Sequence, residues 1–181
     1  MLDEATRPRA ARQQPEQPVS PAGAQGQRTL LAIHGHLRDE LDRVVGAVEA
    51  VAAGELSAGA ARAVVHDSTM LRNYRLTGSF CAQYCRFVEG HHSIEDAYLF
   101  PSLEVGDPSL APVLRRLSEE HEVIHAVLVR IDELLVAMVG QGSGAGPVGE
   151  QVRALRTALS SHLDYEEEEL LGPIGRLQLL V

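Results

Sequence analysis

The sequence predicts an all-α protein: an antiparallel up-down-up-down four-helix bundle preceded by a disordered N-terminal arm. Three observations carry that prediction. Apolar residues recur at helical period through four long stretches, the links between them are short, and no stretch alternates with the period of a strand. With 181 residues the chain has the length for one domain with its own core, and not for two. Aromatics make up only 4% and Trp is absent, so Leu, Val, Ile and Ala must build that core.

Residues 1–28 hold Pro8, Pro15, Pro18 and Pro21 among Gln, Ala, Arg and Gly. So little apolar surface cannot offset the entropy of ordering the segment, which reads as a disordered arm ahead of a bundle domain over 29–181. A first helix follows from about Thr29 to Ala53, with Leu30, Ile33, Leu37, Leu41, Val44 and Val48 in period and Gly54 at its end. Ser57 caps a short helical piece through about Val65. The second long helix covers about Met70 to Leu99 and carries Phe80, Tyr84, Phe87, His91, Glu95 and Tyr98 along one side. Pro101 closes it, since the residue before a proline is pushed out of helical geometry.

The third helix starts with Asp107 as N-cap and Pro108 in the first helical position. It runs through Leu114, Leu117, Leu128 and Leu135 to about Val139. Residues 140–147, GQGSGAGP, are a flexible link. The fourth helix covers about Val148 to Leu171, where Gly172-Pro173 stops it.

Charge and composition exclude several classes. A net charge of −9 argues against a nucleic-acid partner, because a phosphate-binding face needs a basic excess. No apolar run is long enough to span a bilayer, so no membrane partner is expected. Asp3 and Glu4 sit where a signal peptide would be basic. The two cysteines, Cys81 and Cys85, read as reduced thiols, and the expected compartment is the cytoplasm.

Three of the four helices carry a pair of metal-ligand side chains four residues apart: His91 and Glu95, His121 and His125, His162 and Glu166. Four residues turn a helix by about 400°, so both members of a pair leave the same face one turn apart. Each pair lies on its helix's apolar stripe, where an unpaired carboxylate is costly to bury and a metal removes the cost. On the first helix His34 sits on the side of the apolar stripe, and His36 falls toward the surface. The metal-ligand candidates are thus His34, His91, Glu95, His121, His125, His162 and Glu166. His92 and Asp96 read as flanking residues, His66 as structural, and Glu167 and Glu168 as a solvated face. Glu169 returns to the inner side one turn beyond Glu166. Imidazole with carboxylate favours first-row transition metals such as iron, zinc or manganese.

The run His91-His92-Ser93-Ile94-Glu95-Asp96, followed by Leu99-Phe100-Pro101, resembles the HHE signature of hemerythrin-like cation-binding domains. His34-Gly35-His36-Leu37-Arg38, Glu120-His121 and His162-Leu163-Asp164-Tyr165-Glu166-Glu167 resemble that family's first-, third- and fourth-helix motifs. The resemblance spans about residues 29–171. It implies two non-haem iron ions with a bridging oxo or hydroxo oxygen, held by the seven candidates, with one iron position open to dioxygen, nitric oxide, peroxide or azide. An apolar pocket around that position would draw on Phe87, Leu117, Ile124 and Leu128, with Tyr84, Tyr98 and Tyr165 nearby. Oxygen-carrying hemerythrins have an Asp five residues after the fourth-helix His, whereas here Glu166 follows by four. That variant resembles the bacterial and eukaryotic HHE branch, whose roles reach beyond oxygen carriage.

The implied function is a di-iron protein that binds or senses dioxygen, nitric oxide or peroxide. A catalase-like or nitric-oxide-reducing enzyme is the alternative on the same site, and no motif separates binding from turnover. A third reading, from another class, is an interaction module with a structural zinc on Cys81, Cys85 and His92. It has three ligands where a closed zinc site needs four.

Overall fold

In the computed structural model the described residues are 2–10, 19–52, 82–141 and 146–181. The short helix expected over 57–65, the start of the second helix, and with them His66, Phe80 and Cys81, lie outside these. The described residues are all-helical, with four long helices. Helix α1 is Pro21–Ala52. Helix α2 covers 82–106 in three contiguous pieces: Ala82–Ile94, a π-helical turn Glu95–Leu99, and Phe100–Gly106. A 3₁₀ turn, Pro108–Leu110, leads into α3, Ala111–Gln141, and α4 is Gly146–Leu177.

Asp107 opens the turn into α3 as expected, its carboxylate accepting from the Ser109 backbone N–H at 3.2 Å. Two other helix boundaries differ from the sequence reading. Helix α2 does not end at Pro101 but continues to Gly106. The π-helical turn just before the proline widens the coil, relieving the clash its ring would make with the carbonyl four residues earlier. Helix α4 likewise runs past Gly172-Pro173 to Leu177. It stops where Gln178 takes a left-handed φ of 57° and the Leu179 N–H reaches back to the Ile174 carbonyl at 3.2 Å. That is the Schellman pattern of a helix C-terminus.

The N-terminal region departs furthest from expectation. Helix α1 begins at Pro21 rather than Thr29, and its first turns lie on the end of α4. The backbones approach so closely that a Cβ added at Gly23 would meet the Gly175 carbonyl oxygen at 2.1 Å. Gln27 donates from Nε2 to the Leu171 carbonyl at 2.7 Å. Ahead of this, residues 2–10 do not form a solvated arm; they lie along the bundle, held by polar contacts to α3 and α4. The reading from composition counted apolar surface alone and missed these contacts.

Buried apolar residues form two clusters. One gathers Leu37, Leu41, Val88, Ile124, Leu128, Leu155 and Leu159, and the other Leu30, Leu99, Phe100, Leu103, Leu117, Leu170 and Ile174. Along α1 and α3 the chain passes from the second cluster to the first, and along α2 and α4 it passes the other way. Between them on every helix lie buried polar side chains.

Cys85 is disulfide-bonded, which corrects the expectation of reduced thiols. With the correction goes the argument from thiols for a cytoplasmic setting. No helix among the described residues is long and apolar enough to cross a membrane.

The α1–α4 contact is testable. Gly23→Val is expected to destabilise the fold by about 1–3 kcal/mol in chemical denaturation, because backbone must move to admit the side chain. Gly46→Ala, at a helical position with nothing within 4 Å, is expected to be neutral or stabilising.

Candidate metal centre

Each helix sends side chains into the layer between the two apolar clusters. From α1 comes His34, fully buried between Leu30 and Leu37 on the apolar stripe; His36 is exposed. From α4 come His162 and Glu166, both fully buried. On α2 His91, His92 and Glu95 are all buried. Consecutive residues diverge by about 100°, so His91 and His92 straddle the inward direction. Glu95, four residues from one and three from the other, points between them. On α3 His121 is buried and His125 is exposed.

The expectation for His125 is therefore corrected. Taking Leu117 as zero, the buried residues of α3 from Val113 to Ile131 fall within about 60° on either side, and His125 falls at about 80°. A spacing of four from a buried histidine was not enough to bring it inside. His92 was missed for the complementary reason, since 100° from His91 reads as flanking only when His91 points straight at the core.

The side chains form two groups that have the spacing to hold a metal ion. One is His92, His121 and His162; the other is His34, His91, Glu95 and Glu166. His34 Nε2 faces His91 Nε2 at 3.1 Å, and the His92 and His121 rings stack with centroids 3.9 Å apart. His91 Nε2 lies 3.1 Å from Glu95 Oε1, and His162 Nε2 lies 3.8 Å from Glu166 Oε2.

A second layer of carboxylates turns the rings. His121 Nδ1 donates to Asp96 Oδ2 at 2.9 Å, His34 Nδ1 to Glu167 Oε1 at 2.9 Å, and His162 Nδ1 to Glu120 Oε2 at 3.2 Å. The carboxylates are anchored in turn: Asp96 by the Ser118 hydroxyl, Glu167 by Arg38, and Glu120 by Arg7 and Arg116. With the hydrogen on Nδ1, each Nε2 presents a lone pair to the interior, which is how a histidine is prepared to ligate a metal. Sequence reasoning assigned no such role to Asp96, Glu120 and Glu167, and placed Glu167 on a solvated face. The available signal was the neighbouring position each holds to an inward residue on its own helix.

Nε2 of His92, His121 and His162 and both carboxylate oxygens of Glu95 and Glu166 are buried without a hydrogen-bond partner. Buried polar atoms are nearly always partnered, so seven orphans converging on one space fit a bound cation. Protonation points the same way. Burial lowers His34 to about 3, with the charges of Arg38 and His162 adding to it, and lowers His91 to about 2. Burial also lowers His162 to about 4, against the pull of the Glu120 hydrogen bond. At neutral pH these rings are uncharged. Burial raises Glu95 well above the carboxylate range, reinforced by the nearby Glu166 charge, and raises Glu166 to about 8. A cation in this space would displace those protons.

The chain matches the hemerythrin HHE cation-binding domain over residues 25–174. It belongs to that family. No curated protein and no solved structure gives a significant match. In this hemerythrin-like domain Leu117, Ile124 and Leu128 are buried in the apolar clusters, and Phe87 is exposed with its ring against His36. Of the tyrosines expected nearby, Tyr84 donates to the Leu37 carbonyl and Tyr165 to that of Pro8, and Tyr98 is exposed.

Two outcomes follow. His92→Ala is expected to remove most bound metal, while His125→Ala leaves it near the wild-type level by mass spectrometry; loss in the second and retention in the first would reverse the assignment. The second concerns pH. From the ordinary carboxylate range up to about 8, the native state keeps a proton on Glu166 that the unfolded chain has released, so stability falls as pH rises. The depressed histidines act oppositely, but only below about 6.5. Metal-free protein is therefore expected to lose Tm between about pH 6.5 and 8, and cation-loaded protein to keep it. A rising Tm in chelator across that window would contradict the buried-acid account.

Proposed function

We propose that the two groups hold a pair of non-haem iron ions with a bridging oxo or hydroxo oxygen, inside an antiparallel up-down-up-down bundle. The centre binds or senses dioxygen, nitric oxide or peroxide at one open iron position. One observation carries this reading: five buried imidazoles and two buried carboxylates converge as two adjoining groups, with Nε2 of His92, His121 and His162 and the oxygens of Glu95 and Glu166 left without hydrogen-bond partners. His34 and His91 would serve one ion and His92, His121 and His162 the other. Glu95, near His91 and His121, and Glu166, near His34 and His162, would serve both. The alternating passage of the helices between the two apolar clusters supports the up-down-up-down path.

Such an iron pair supplies electrons to a small ligand and a vacant coordination position to receive it. The chain supplies the rest. Asp96, Glu120 and Glu167 hold the rings in one tautomer. The apolar clusters on either side keep water from the layer. A cleft of about 530 Å³, bordered by Phe87, Ile94, Tyr98 and Leu99, reaches His91 and Glu95. Its apolar walls suit a small uncharged ligand better than an anion.

The interaction module with a structural zinc loses its footing. Cys85 is in a disulfide, and His92 turns toward His121 and His162.

Mass spectrometry on anaerobically purified protein is expected to find about two irons per chain, and air or azide to bring up charge-transfer absorption. Zinc near one per chain with no visible bands would end the di-iron reading. Steady consumption of added peroxide would move the assignment from binding to enzymatic turnover.

A further inference from the structure

The three carboxylates behind the histidines are not anchored alike. Glu167 is held by Arg38 and Asp96 by Ser118, both from the helices of the bundle. Glu120 is held by Arg116 of α3 and also from outside the bundle helices. Arg7 donates from Nε to Glu120 Oε1 at 2.8 Å and from Nη2 to Oε2 at 2.8 Å, a two-pronged pairing, and from Nη1 to the Ser161 hydroxyl at 2.9 Å. Both side chains are nearly sealed from solvent, 8% exposed for Arg7 and 1% for Glu120. The Arg7 guanidinium also lies 4.7 Å over the Tyr165 ring. Residues 2–10 thus bring a buried charge to a carboxylate that touches His162, from a segment outside the 25–174 family match.

The segment is tied at several further points. Arg116 Nη2 donates to the Asp3 carbonyl at 2.6 Å, and the Ser161 hydroxyl to Glu4 Oε1 at 2.6 Å. The Tyr165 hydroxyl donates to the Pro8 carbonyl at 2.6 Å, and the Ala10 N–H to Glu169 Oε2 at 2.6 Å. Arg9 pairs with Glu168 and Glu169.

From this geometry we infer that residues 2–10 are a strap and that Arg7 is a positioning residue for His162, acting through Glu120. A guanidinium pairing with both oxygens fixes the carboxylate in its plane, and an ammonium, a point charge, does not. With Glu120 fixed, His162 keeps its hydrogen on Nδ1 and its Nε2 lone pair toward the interior. Without Arg7, Glu120 keeps Arg116 as a partner on Oε1 alone, and Oε2, the oxygen that accepts from His162, is released. The inference rests on the metal-centre reading for its consequence, a change in metal affinity, but not for the ring orientation itself.

The test has two readouts. In metal-free protein, ¹⁵N shifts of the histidine rings report the His162 tautomer. In titrations with Co(II), visible absorption reports affinity. Wild type is expected to show a single Nδ1–H tautomer at His162. Arg7→Ala is expected to give mixed tautomers and to bind Co(II) about tenfold more weakly, the usual scale for losing a partner behind a ligating histidine. Arg7→Lys is expected to fall between them. Glu120→Gln is expected to match Arg7→Ala, and Arg9→Ala, whose partners touch no histidine, to match wild type. If Arg7→Ala lowers Tm but leaves the His162 shifts unchanged, the segment is only structural and the inference fails. If the shifts change and no variant binds Co(II), wild type included, the positioning holds and the metal-centre reading fails.

Discussion

The structure depends on one buried layer in which five imidazoles and two carboxylates crowd together between two apolar clusters. Hydrophobic burial can hold the bundle together above and below, but it cannot satisfy the atoms between. An ionised carboxylate stranded there costs several kcal/mol. Glu95 and Glu166 answer in the metal-free chain by keeping their protons, and the histidines by shedding theirs. Both responses leave neutral groups with unused lone pairs. The layer is tolerable without a cation and completed by one.

The surrounding shell works against the disorder such a layer invites. Side chains with so few partners across the space between them would sample many rotamers. Three of the histidines do not have that freedom, because Asp96, Glu120 and Glu167 hold their outer nitrogens. Asp96 and Glu167 sit at the rim, where solvent softens the cost of a charge, whereas Glu120 is sealed and relies on its arginine partners. Asp96 is depressed in pKa, its partial burial outweighed by hydrogen bonds from His121 and Ser118. Glu120, whose burial favours the neutral form, is kept ionised by the opposing hydrogen bonds from His162 and Arg7. Charge is retained around the centre and suppressed within it.

Much of this was legible in the sequence. Four periodic stretches gave the helices, and the apolar stripe on α1 told His34 from His36, which are buried and exposed respectively. The pairs His91 with Glu95 and His162 with Glu166 are brought together inside. What escaped did so for physical reasons. His125 sits just past the edge of its helix's buried arc, a distinction finer than a four-residue spacing resolves. Prolines at 101 and 173 read as stops because a helix ordinarily cannot pass them, yet α2 accommodates one with a widened turn. The N-terminal segment has too few apolar residues to fold by burial, and its contacts are polar and reach partners more than a hundred residues away. Local pattern carries no record of such partners.

One peptide bond has an outsized mechanical role. His91 and His92 are consecutive, yet they serve different groups. Their separation is thus a property of helical geometry, about 1.5 Å of rise and 100° of turn, and not of tertiary packing. If α2 were to roll about its own axis, one ring would advance as the other withdrew. The two halves of the centre are geared to each other through a single rigid shaft, so no movement of α2 can loosen or tighten one of them alone.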